Sequence, residues 1–267
     1  MSKKSTSWGW REPKFKSSRP HQKSSDRHHT SIIAHRGCTT LVDSVNTIEA
    51  FQSAIDLGIP YIEFDLRRTQ DGQMICYHDK TIDGTRIRDL TYEHVLAIAQ
   101  LKDLKIPLFE EVLSLCRGKI GLDIEVKEKG YEDAIISIAL EYLDYSEFVM
   151  KSFNDSSVRT IKNIDPNIRV GLLLGKLPPK YLWFVSFAHL FPEYRIFKTG
   201  ADFVSPNYKL LRLGFLWRMD RIGRDVYVWT VNEEGLLTKF LSNRSISAII
   251  TDRPELAMKI LASIDRI

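Results

Sequence analysis

The chain has 267 residues, 43% of them hydrophobic and 27% charged, which is an ordinary balance for a globular protein with one large core. Its three cysteines (Cys38, Cys76, Cys116) are odd in number and lack CxxC spacing, so neither a thiolate metal site nor a disulfide framework is indicated. No apolar run approaches the eighteen or so residues of a membrane span, and no apolar signal core opens the chain, so a cytoplasmic location is expected.

The net charge of +4 is unevenly spread. Residues 1–30 carry eight Lys or Arg against Glu12 and Asp26, with many serines and few aliphatic residues. Such a segment cannot bury enough apolar surface to order itself, so it reads as a flexible basic tail ahead of a domain spanning 31–267. Beside a membrane each of its basic residues would add roughly 1 kcal/mol of attraction to anionic lipid.

From residue 31 onward, short β-rich runs alternate with helical patterns, the signature of βαβ units and a parallel sheet. Strands are predicted at 31–34, 61–66, 121–126, 148–153, 170–174, 202–205, 226–230 and 248–251. Helices are predicted at 47–57, 109–116, 131–143, 156–163, 233–241 and 254–264, and 178–200 and 207–223 must supply the remaining crossovers. A further strand-like run, 73–77, follows the turn signal Asp71-Gly72. The gap before it is too short for a parallel crossover, so this run is expected to be an antiparallel arm. Setting it aside leaves eight strands. The fold class is therefore α/β, a (β/α)8 TIM barrel with a short hairpin and an insertion (residues 79–105) after the second barrel strand.

Polar groups gather where these strands end. Ala34-His35-Arg36-Gly37 stops an apolar strand at an imidazole and a guanidinium. Glu63 and Asp65 share one face of the second strand, with Phe64 on the other. His78-Asp79 ends the hairpin arm. Asp123, Glu125 and Lys127 share a face of a strand otherwise built of Ile and Val, with Asp123 a candidate partner for Lys127. Trp229-Thr230-Val231-Asn232 ends a later strand. Inward carboxylates are costly unless compensated. Glu63, Asp65 and Glu125 make an all-oxygen set suited to a hard divalent cation, Mg²⁺ or Ca²⁺. Arg36 and Lys127 supply the positive charge a phosphate needs, and His35 and His78 can serve as general base and general acid near neutral pH.

In this order the segments resemble the glycerophosphodiester phosphodiesterase family. The matching pieces are His35-Arg36-Gly37, Asn46-Thr47 with Ala50-Phe51, Glu63-Phe64-Asp65, Thr69-Gln70-Asp71-Gly72, His78-Asp79, Ile124-Glu125-Val126-Lys127, Ser152-Phe153, Trp229-Thr230-Val231-Asn232 and Thr251-Asp252. The resemblance covers roughly residues 31–262. It implies a metal-dependent phosphodiesterase barrel with Glu63, Asp65 and Glu125 as metal ligands, and with His35 and His78 as the acid–base pair. Arg36 and Lys127 would then lie at the phosphate, with Trp229 in the substrate pocket. Where the family usually has Pro-Glu-Asn-Thr, this chain has Ser44-Val45-Asn46-Thr47, which removes an acid near the site.

The expected partner is a small-molecule phosphodiester or a lysolipid. Apolar runs at 181–185, 187, 190–191 and 215–217, together with the basic tail, make peripheral membrane contact and a lysolipid substrate the second reading. A non-catalytic phosphate-binding barrel is a third, and the intact acids and histidines argue against it. No nucleic-acid recognition motif accompanies the tail, and nothing in the sequence specifies an oligomeric state.

Overall fold

The computed structural model describes residues 30–38, 44–175 and 188–264. The predicted tail, apart from Thr30, lies outside the described residues, as does the aromatic stretch 181–187. Thr30 itself is buried, and its hydroxyl donates to the Leu241 and Ile246 carbonyls, so the packed fold already includes it.

The strands run β1 (Ser31–His35), β2 (Tyr61–Arg68), β3 (Met74–Cys76), β4 (Thr81–Ile82), β5 (Thr85–Arg86), β6 (Gly121–Val126), β7 (Phe148–Ser152), β8 (Val170–Leu174), β9 (Phe203–Pro206), β10 (Asp225–Val228) and β11 (Ala248–Thr251). Eight of them, β1, β2 and β6 to β11, pair in parallel with their neighbours in chain order, and β11 returns to β1 to close the barrel. The short β3 pairs antiparallel on β2, Leu66 opposite Cys76, as the turn chemistry required. The (β/α)8 barrel is thus present, with the hairpin arm where it was expected.

The insertion holds more structure than its sequence suggested. Residues 79–105 fold into the β4–β5 hairpin and a helix, α2 (Tyr92–Leu101), packed over Ile75 through Ile82, Ile87, Val95 and Ala99. The Thr91 hydroxyl caps α2 by accepting from the His94 amide, and Asp71 in the preceding turn accepts from the Tyr92 amide. The described parts of the crossovers over 178–200 and 207–223 include the helices Glu193–Thr199 and Phe215–Arg221.

Strand alternation sorts the side chains into two cores. Outward residues such as Ile62, Phe64, Leu122 and Ile124 pack against the helices. Phe64 lies between Phe51 of α1 (Ile48–Asp56) and Phe109 of α3 (Phe109–Cys116), at centroid distances of 5.7 and 6.1 Å. Inward residues Ile33, Tyr61, Val149, Phe203, Tyr227, Ala248 and Ile250 fill the lower barrel. Phe203 stacks on Tyr227 at 4.3 Å. Gly121 and Gly171 leave the room for this: a Cβ at Gly121 would meet the Tyr61 ring at 2.0 Å, and one at Gly171 would meet Phe203 at 2.2 Å. Above this apolar floor the inward positions turn polar.

Candidate active site

Register places the polar residues in tiers. Glu63 of β2 lies beside His35 of β1 and Asp123 of β6, and one step higher Asp65 lies beside Glu125. Lys151 of β7 neighbours Glu125. All of these side chains point into the C-terminal half of the barrel because they share the inward alternation with the floor residues.

The lower polar tier is an ion-pair triad. Lys151 is fully buried, 2.6 Å from Asp123 and 3.4 Å from Glu63. Asp123 was a sequence candidate to pair with Lys127, and the structure corrects this: its partner is Lys151, because Lys127 lies beyond the strand end and reaches the upper tier instead. Burial pushes the Asp123 carboxyl up to about 6. Burial also opposes the Lys151 charge, but Asp123, Glu63 and Glu125 outweigh it and hold the ammonium protonated.

In the upper tier, carboxylate oxygens of Glu63, Asp65 and Glu125 all lie within 4.8 Å of one another, and all three residues are buried. Lys127 stands 2.9 Å from Asp65 and 2.7 Å from Glu125, and the Arg36 guanidinium 3.1 Å from Asp65. Asn46 donates to Asp65 at 2.9 Å. Burial works against the Asp65 charge, yet Lys127 and Arg36 keep its pKa well below the usual carboxylate range. For Glu125 burial wins, and its pKa is raised. The four carboxylates outnumber the three cations, Arg36, Lys127 and Lys151, so the nest is net negative once all four are ionised. An all-oxygen set with residual negative charge fits a hard divalent ion.

The two imidazoles flank this nest. His35 ends β1, where Arg36 (φ 59°) and Gly37 (φ 89°) turn the chain sharply. A Cβ on Gly37 would sit 2.8 Å from Ala50, so the turn can press directly on α1. Asp252, just past β11, holds His35 Nδ1 at 2.5 Å, and Asn232 in turn donates to Asp252. His35 Nε2 is left 3.9 Å from Glu63. Burial disfavours the imidazolium, but the Asp252 hydrogen bond and the Glu63 charge together raise the His35 pKa. His78 caps the hairpin arm with Nδ1 2.7 Å from Asp79. Burial and the nearby Lys127 charge lower its pKa.

A cavity of about 120 Å³ opens between the imidazoles. Its polar side carries Arg36, Glu63, Glu125 and Lys127, and its other wall is Phe153, Leu173, Trp229 and Ile250. Trp229 donates its indole N–H to the Ser205 carbonyl at 2.7 Å and meets Phe153 edge-on at 5.8 Å. Of the eight sequence candidates, His35, Arg36, Glu63, His78, Glu125, Lys127 and Trp229 line this mouth, and Asp65 lies behind them against Arg36 and Lys127. Val45 is half-exposed, and its neighbour Asn46 makes the contact to Asp65. Lys151 and Arg67, which grips the His78 backbone, escaped the sequence reading, and Asp252 and Asn46 entered it only as parts of matching segments, without the contacts to His35 and Asp65 that they make. Lys151 was open to detection, since it alternates with Val149 in an otherwise apolar strand and must point inward.

The C-terminal rim is where parallel barrels build their sites, and the charges gathered here are those that phosphate esters require, so fold and site define a barrel hydrolase of phosphate esters. The glycerophosphoryl diester phosphodiesterase family model matches residues 35–256, most of the chain. A glycerophosphodiester phosphodiesterase of Caldanaerobacter subterraneus is 28% identical over 246 residues, spanning 85% of this chain and 95% of that one. The crystal structure of a glycerophosphodiester phosphodiesterase from Parabacteroides distasonis superposes with a TM-score of 0.73 at 25% identity, covering 89% of this chain and 99% of that one. A phosphodiesterase of Oleispira antarctica, solved in complex with the product sn-glycerol-3-phosphate, shares the fold at 20% identity, with a TM-score of 0.71 over 89% of this chain and 97% of that one. The chain belongs to the glycerophosphodiester phosphodiesterase family and is a phosphoric diester hydrolase. Among the described residues no helix is long and apolar enough to cross a membrane.

Proposed function

We propose that the chain hydrolyses glycerophosphodiesters to an alcohol and glycerol phosphate, with one divalent cation, Mg²⁺ or Ca²⁺, held by Glu63, Asp65 and Glu125. The observation that carries this reading is the convergence of those three buried carboxylates within 4.8 Å, between two imidazoles. When bound, such a cation supplies Lewis-acid polarisation of a phosphoryl oxygen. Arg36 offers a guanidinium fork for a second oxygen, and Lys127 a point charge where negative charge develops. His35 and His78 move the protons, one from the attacking oxygen and one to the departing alcohol. Asp252 fixes the His35 ring so that Nε2 faces the cavity. Phe153 and Trp229 exclude water from the side that receives the carbon skeleton of the substrate.

A second reading, lysophospholipase D-type cleavage of lipid phosphodiesters at a membrane surface, is supported by an exposed aromatic and cationic set. Tyr194, Phe197 and Trp217 are 73%, 69% and 61% exposed. Lys198 lies over the Tyr194 ring and Arg221 over Trp217. The basic residues of 1–30, read as a tail separate from the domain, would add charge to the same contact.

Turnover of glycerophosphocholine and of lysophosphatidylcholine, each with Mg²⁺, Ca²⁺ and EDTA, tests both readings. The first expects chelator-sensitive release of choline from the soluble substrate, and the second the same chemistry confined to the lysolipid. His35→Ala and His78→Ala should each lower turnover by about two to four orders of magnitude. Near-normal rates in both variants would remove the acid–base pair, and rates indifferent to EDTA would remove the cation.

A further inference from the structure

Among the described residues of the site, His78 alone follows the antiparallel arm, whereas Arg36, Lys127 and Trp229 each directly follow a barrel strand. It follows β3, a three-residue arm, and the ladder between β2 and that arm ends with the Tyr77 amide donating to the Asp65 carbonyl at 3.0 Å. Beyond that bond His78 has left the sheet. Its ring touches Asp79, a residue 69% exposed in its side chain and so a poor anchor. An imidazole at such a position would wander unless something held its backbone.

Arg67 holds it. Arg67 belongs to β2, in the inward row of Glu63 and Asp65, one step above Asp65. Its guanidinium is buried, and all three of its nitrogens are engaged. Nε and Nη2 donate to the His78 carbonyl at 3.0 and 2.6 Å, and Nη1 meets Glu128 at 3.1 Å. A planar fork with two bonds to one oxygen fixes direction as well as distance. Arg67 does not line the cavity, so its side chain has no route to the reacting atoms except through what it holds. The Glu128 end ties the same group to the loop after Lys127, where the Arg68 bond to the Gly130 carbonyl and the Tyr131 bond to the Leu66 carbonyl already brace the chain.

We propose that Arg67 is the positioning residue of His78, transmitting the rigidity of β2 to an imidazole that the barrel itself does not carry. This rests on His78 belonging to the acid–base pair. A group held within a few tenths of an ångström of its productive place loses rate steeply when released, so the cost of removing Arg67 should fall on kcat. Substrate binding and cation binding, which use other residues, should be spared.

A double-mutant cycle on glycerophosphocholine tests this, with Mn²⁺ binding to the protein measured separately by calorimetry. Arg67→Met should lower kcat by about ten- to a hundredfold, with KM and the Mn²⁺ affinity within about twofold of the parent. Combined with His78→Ala, it should cost less than about twofold further, because two residues acting as a unit are non-additive. Arg67→Lys keeps charge toward Glu128 and can make one bond to the carbonyl. It guards against misfolding of the methionine variant, and its smaller kcat loss should vanish in the same way beside His78→Ala. Equal losses in the parent and His78→Ala backgrounds would overturn the proposal while leaving His78 in the site. So would a fall in Mn²⁺ affinity that accounts for the rate. A near-normal His78→Ala rate would instead remove the acid–base reading, and the proposal with it.

Discussion

The floor and the rim of this barrel solve the same packing problem with opposite chemistry. Below, Tyr61, Phe203 and Tyr227 fill the interior with rings, and Gly121 and Gly171 yield them space. Above, the interior is filled by Asp123, Lys151, Glu63, Asp65, Glu125 and Lys127, which fit only because each charge answers another. A buried charge without a partner costs far more than a buried methyl group without a neighbour. The floor should therefore respond to volume and the rim to charge balance.

The largest effect should come from removing charge balance. Lys151→Met leaves Asp123 and Glu63 facing each other without their cation, and should destabilise the fold by about 3–5 kcal/mol, read from the denaturant midpoint. Adding Asp123→Leu to the same protein should recover most of that loss. If the double variant is no better than the single one, packing and not charge governs the upper half. A volume change in the floor should cost less. Gly121→Ala forces a methyl group against the Tyr61 ring and should cost about 1–3 kcal/mol, with kcat per folded molecule unchanged. A matching fall in kcat would mean that the two halves are not independent.

The smallest effect lies outside both halves, in the turn before β3. Asp71 accepts from the Thr69 hydroxyl and the Tyr92 amide, contacts that hold its pKa below the ordinary 3.8. A lowered carboxyl pKa stabilises the fold at neutral pH, and that contribution is lost as pH falls from 3.8 through the lower folded value. Asp71→Asn should lower the melting temperature by about one or two degrees at pH 7, and the gap to the parent should close in acid.

The contrast between floor and rim also explains what could be read from the chain alone. Strand 121–126 was legible because apolar residues alternate with Asp123 and Glu125, and 248–251 because an apolar run stops at Asp252. The antiparallel arm was legible from Asp71-Gly72 and a short gap. Helix α2 was missed because Tyr92–Leu101 buries only Val95 and Ala99 fully, a stripe too narrow to announce itself. The partner of Asp123 was misassigned because Lys127 is near in sequence, while Lys151 is brought close only by the β6–β7 register. The roles of Arg67 and Asp252 lie in what they hold: one grips a backbone carbonyl and the other turns a ring. The Thr251-Asp252 segment marks where Asp252 stands but not what it holds, and Arg67 is not marked at all.

The site draws unequally on the chain. His35, Arg36, Glu63, Asp65, His78, Glu125 and Lys127 come from its first half, whereas the second half supplies the apolar wall of Phe153, Leu173, Trp229 and Ile250 together with two polar braces, Lys151 and Asp252. Most of the charged cluster and the whole of its apolar wall are thus inherited on separate stretches of polypeptide. Substitutions along the second stretch can reshape that wall and leave the charges in place, provided Lys151 and Asp252 are kept.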